Sequence, residues 1–157
     1  MNFSHKILGF LLGLHLTCSA GSAFAGAQAE EKLSASVRAA LQRAVADQPS
    51  SITSFRTPVE ESVWLDEMSR RLTKKIPDTE TRFELLRAVH YEATRAGLDP
   101  ELVLGLIQVE SAFRKYAVSP AGARGFMQVM PFWQRVIGAR EHNLFHLRTN
   151  LRYGCTI

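Results

Sequence analysis

The sequence predicts an all-α protein. Apolar residues recur three and four apart in several segments, and those segments are separated by proline, glycine and aspartate capping signals. No run of strand length alternates apolar with polar residues.

Each element follows from its own pattern. Residues 30–47 carry Leu33, Val37, Leu41 and Val45 at a spacing of four, a single stripe on a helix. Residues 48–54 are polar, contain Pro49 and read as a linker. Thr57-Pro58-Val59-Glu60 supplies an N-cap, a proline at the first helical position and a reciprocal glutamate. Trp64, Met68 and Leu72 give that helix its apolar face, and Pro77-Asp78 breaks it. Phe83, Leu86, Val89 and Ala93 mark another helix, which Gly97 can end with positive φ. Asp99 caps the next helix, with Pro100 at its first position. Ser119-Pro120 and Gly122 signal a loop, and residues 125–136 read as helical despite Pro131.

The first residues read as a leader. His5 and Lys6 precede an apolar stretch over residues 7–16, and Ala23-Phe24-Ala25 offers an A-x-A cleavage site. The apolar run is about half of the roughly 20 residues a membrane span needs. The expectation is therefore a signal peptide over residues 1–25, a bacterial periplasmic or secreted location, and no stable membrane span after cleavage. The chain has two cysteines; with Cys18 in the leader, Cys155 has no partner for an internal bridge.

Nineteen Lys and Arg stand against 15 Asp and Glu, and the excess is uneven. Beyond Glu110 the only acid is Glu141, among Arg114, Lys115, Arg124, Arg135, Arg140, Arg148 and Arg152. This suits an anionic polymer or ordinary solvated charge, but no run is dense enough for a nucleic-acid patch.

One position breaks the apolar pattern. Glu110 ends a run that includes Leu102, Val103, Leu104, Leu106, Ile107 and Val109, and it shares a helix face with Leu106 and Ile107. Its carboxyl is therefore expected to point into the interior or a cleft. Desolvation, and the negative end of the helix macrodipole, would both favour the protonated form. That is the state a general acid needs. The alternative is a structural glutamate paired with Arg114, one turn on.

The segments "ELVLGLIQVESAF" and "SPAGARGFMQVMP" carry a resemblance. They resemble the lytic transglycosylase domain of the soluble lytic transglycosylase family, a relative of goose-type lysozyme. The residues concerned are Glu110-Ser111 followed by Phe113, then Gly122, Gly125, Met127 and Gln128 with Pro131 closing the motif. Phe126 stands where the family more often has leucine, and "NLRYGC" resembles the family's next helix. The likeness runs from about Leu86 to Ile157.

The resemblance implies a lysozyme-like helical domain over residues 81–157, incomplete at its C-terminal end, behind a helical extension over residues 26–80. The family's tyrosine-asparagine segment would lie beyond Ile157. The implied substrate is peptidoglycan glycan strands, with no nucleic acid and no cofactor or metal. The implied catalytic residue is Glu110, which protonates the oxygen between N-acetylmuramic acid and N-acetylglucosamine. It then takes the proton of the muramyl 6-hydroxyl, and a 1,6-anhydro ring closes. This one-carboxylate scheme fits a stretch so poor in acids, since ordinary glycosidases use two.

Ser111, Gly125, Met127 and Gln128 are the implied substrate-binding residues. Ser111 either bonds the glutamate or the substrate, or caps the helix. Gly122 and Gly125 admit a sugar, form a turn, or do both. Met127 walls a subsite or fills the core, and Gln128 can present an amide. Phe113, Tyr116, Phe132 and Trp133 either stack on sugars or pack.

Other chemistries fare differently. A lysozyme-type hydrolase and a non-catalytic glycan-binding remnant both stay open. Glu141-His142 with His146 lacks the order of the zinc-protease motif and reads as a loop pair. No serine has an elbow motif around it.

Overall fold

A computed structural model describes residues 30–46 and 54–157. The expected signal peptide lies outside the described residues, as does all of the expected linker except Ser54. Six α-helices are described: α1 (Ala35–Ala46), α2 (Pro58–Leu72), α3 (Thr79–Arg95), α4 (Pro100–Ser111), α5 (Phe132–Ile137) and α6 (Leu147–Thr156). No strand forms among the described residues, only isolated bridges of Arg124 with Val118 and Val129. The all-α class holds.

The helix starts are built as the capping signals require. Thr57 accepts from the Glu60 amide at 3.1 Å, Asp78 from that of Thr81 at 2.8 Å, and Asp99 from that of Glu101 at 2.7 Å. Each such cap contributes about 1 kcal/mol. The reciprocal half of the box at α2 is displaced by one residue: Glu60 accepts from the Arg56 amide, not from Thr57. Gly97, at φ 73°, turns the chain out of α3 as expected.

Helix α3 is the hub and packs on α2, α4 and α6, while α1 lies on α5 and α6. Leu86, Val89 and Ala93 on α3 are fully buried, together with Ile107 of α4 and Leu151 of α6. One apolar cluster runs from Val45 and Leu65 through these residues to Cys155. It supports α4, the helix that carries Glu110.

Residues 125–136 do not form the single expected helix. The helix is confined to α5, and the segment before it is a turn. Gly125 and Gln128 take positive φ of 76° and 48°, which no right-handed helix contains. Pro131, lacking an N–H, sits at the N-cap of α5.

Candidate active site

Glu110 lies in the last turn of α4, on the border between two faces. On one side Val103 and Ile107 are buried, at 2% and 0% exposure. On the other, Leu102, Leu106 and Val109 are open to solvent at 67%, 42% and 73%. The carboxylate is half-buried between them. It therefore opens beside an exposed aliphatic strip instead of facing the core, because Leu106 is not covered.

Among the described residues Glu110 makes no hydrogen bond and no ion pair. Arg114 does not pair with it: its Nε donates to the Ser111 carbonyl at 3.0 Å. A half-buried carboxylate without a structural partner contributes little to the fold. Its chemistry remains free for something else.

The backbone just beyond it is strained. Ala112 and Phe113 follow Ser111 with φ of 50° and 62°, and with Gln128 they are the non-glycine residues at positive φ among those described. Each such residue costs on the order of 1–3 kcal/mol unless its surroundings impose it. Two in succession reverse the chain immediately after Glu110-Ser111, and the third lies in the loop of the second motif. Strain of this kind concentrates at functional sites.

That loop is a tightly tied turn. The amide of Arg124 donates to the carbonyl of Val129 at 3.0 Å, the reverse bond is also 3.0 Å, and the Gly125 amide donates to Ala117 at 2.9 Å. Gln128 Nε2 donates to the carbonyls of Gly125 at 2.9 Å and Ala117 at 3.2 Å. Its amide nitrogen is thus spent on the loop, leaving Oε1 as the group it can still offer. Ser111 is buried and its hydroxyl donates to Ile107 at 3.1 Å, which leaves its lone pairs as acceptors. Met127 is buried, and its side chain lies against Gly154 of α6, where a Cβ would come within 2.4 Å of Sδ. Phe113 and Phe132 are buried, Trp133 packs partly against the core, and Tyr116 is 71% exposed.

Asn150 holds this arrangement together, and the sequence pattern did not single it out. Its Oδ1 accepts from the Met127 amide, and its Nδ2 donates to the carbonyls of Arg124 and Leu144, all at 2.8 Å. The available signal was a polar residue on the apolar side of α6, next to Leu151. Gly125 packs directly on it: a Cβ there would sit 2.5 Å from Asn150 Nδ2 and 2.7 Å from the Leu144 carbonyl. A Cβ on Gly122, at φ 90°, would meet nothing within 4 Å, so the glycine is required only by its turn.

Known proteins share this region. The family model of the Transglycosylase SLT domain matches residues 87–157, from within α3 to the last described residue. Over 48 residues the chain is 52% identical to the membrane-bound lytic murein transglycosylase C of Actinobacillus pleuropneumoniae serotype 5b (strain L20), a stretch covering 31% of this chain and 13% of that protein. Over 46 residues it is 48% identical to the proteins of the same name from Mannheimia succiniciproducens and from Haemophilus influenzae strain PittEE, covering 29% of this chain and 13% of each relative. The chain thus spans about an eighth of the length of these curated relatives. No solved structure matches. Residues 87–157 of this chain are thus similar to the Transglycosylase SLT domain.

Proposed function

We propose that this chain acts in the bacterial cell envelope as a peptidoglycan lytic transglycosylase with Glu110 as its single catalytic acid and base. The observation that carries the reading is the half-buried carboxylate of Glu110, which has no partner among the described residues and stands where the chain reverses. The family match and the names of the relatives support the substrate, the glycan strands of murein.

In the proposed reaction Glu110 donates its proton to the oxygen linking C1 of N-acetylmuramic acid to N-acetylglucosamine. The C1–O bond breaks and the N-acetylglucosamine end leaves as an alcohol. The carbonyl oxygen of the muramyl N-acetyl group shields the positive charge at C1. Glu110, now ionised, takes the proton of the 6-hydroxyl, and O6 bonds to C1. Protons balance, no water is consumed, and no metal or cofactor takes part. A sugar lying over the open side of Glu110 displaces the water there, so the proton passes to the substrate and not to solvent.

The same reading gives the neighbouring residues supporting roles. Ser111 and Gln128 offer acceptor oxygens to the N-acetyl and hydroxyl groups of the sugar. Gly125 keeps the loop backbone low against α6, and Met127 anchors that loop. The reading also takes residues 1–25 as a secretory leader, residues 26–80 as a helical extension and residues 81–157 as the catalytic domain.

Purified murein sacculi test the assignment of the acid. Glu110→Gln is expected to lower release of soluble muropeptides by about a hundredfold or more, while the protein still sediments with sacculi. Near-normal release by the variant excludes Glu110 as the acid.

A further inference from the structure

A cavity of about 610 Å³ lies where α1, α5 and α6 meet, and no residue of α4 lines it. Its volume falls within the roughly 300–1,000 Å³ of small-molecule sites. It is therefore separate from the proposed glycan site and does not depend on that reading.

Its wall is two-sided. Val45 and Ile137 contribute apolar surface, while His142, His146, Arg148 and Thr149 contribute polar groups. Among the described residues no Asp or Glu lines it. Arg152 also reaches the wall, but it is engaged at 3.1 Å by Glu92, a carboxylate it shares with Arg95. Arg148 has no carboxylate partner among the described residues; its guanidinium sits 5.6 Å from the centre of the Tyr91 ring, which orients the cation without cancelling its charge.

His142 is held in place by Tyr153. The Tyr153 phenol oxygen lies 2.7 Å from His142 Nδ1. With the phenol as donor to Nδ1, a neutral His142 presents its N–H on Nε2. Tyr153 is wholly buried, which fixes the position of its hydroxyl beside His142. The cavity combines Arg148, which also borders a neighbouring pocket with Glu80 and Glu84, with the imidazole of His142, the hydroxyl of Thr149 and an apolar floor.

We propose that this cavity binds a small amphipathic anion: its oxyanion group is held by Arg148 and His142, and its apolar part lies on Val45 and Ile137. A planar guanidinium suits a carboxylate or phosphate equally, and charge-assisted bonds of this kind are the strong ones.

The test is an amide NMR titration of the whole chain with octyl phosphate, inorganic phosphate and the neutral octyl glucoside, each below its micellar concentration. Octyl phosphate is expected to shift amides of α1, α5 and α6 saturably, and to bind at least about tenfold more tightly than either of the others. Arg148→Gln is expected to weaken octyl phosphate by about tenfold, the loss of one charge-assisted contact, without changing spectral dispersion. Val45→Gln, which keeps the cations, is expected to weaken octyl phosphate while leaving inorganic phosphate unchanged. Equal binding of octyl glucoside overturns the charged half of the proposal. Equal binding of inorganic phosphate overturns the apolar half. Shifts confined to other helices, or undiminished affinity in Arg148→Gln, overturn the site itself.

Discussion

Gly125 is the residue whose identity is most tightly dictated by its neighbours. Its positive φ and the contacts a Cβ would make with Asn150 and the Leu144 carbonyl exclude any side chain. Gly125→Ala is expected to destabilise the fold by about 2 kcal/mol or more, read as a lower urea midpoint at unchanged slope. Cys155 offers a second check. Burial first, and then the nearby Glu92, push its thiol up from 9.0 to about 12. The fold therefore favours the protonated thiol. That contribution to stability is complete below the ordinary value and is lost as pH rises through about 9 to 12. Iodoacetamide should label Cys155 slowly in the native chain at pH 8 and readily in urea; rapid native labelling contradicts the burial.

The bond between helices α3 and α6 is partly ionic. Glu92 is wholly buried and meets Arg152 at 3.1 Å and Arg95 at 3.0 Å. Removing Arg152 leaves the buried Glu92 carboxylate with Arg95 alone. Arg152→Met is expected to cost about 2–3 kcal/mol, less than for a wholly unpaired buried charge because Arg95 remains, and Glu92→Met added to it to recover part of that loss. Thermal melts of the two variants decide this, and independent additive losses would show that the pair is not coupled.

At this level much was legible in the sequence. The starts of α2, α3 and α4 were written in Thr57, Asp78 and Asp99, because a cap is a local bond between near neighbours. The stretch over residues 125–136 was not. Its residues have ordinary helix propensity, and what prevents a helix is a set of long-range bonds: Gln128 to Ala117, and Asn150 to the Arg124 carbonyl and the Met127 amide. The same distance hid Asn150, whose partners lie up to 26 residues away.

In the molecule as a whole, Glu110 occupies a seam. Buried residues of α4 hold the helix on α3, while Leu102, Leu106 and Val109 leave its other side open. The periodicity placed Glu110 on the face of Leu106 and Ile107, which was correct. Whether that face was covered depended on what packs against α4, which no spacing records. The outcome is a residue half-open to solvent at the end of α4.

The central proposition is that this one carboxylate closes the sugar on itself instead of adding water. Mass spectrometry of the fragments released from purified sacculi measures it directly. Products ending in 1,6-anhydromuramic acid, about 18 mass units below the hydrolysed species, are the predicted result. Products that carry the added water, or incorporate label from heavy-oxygen water at C1, would contradict the account.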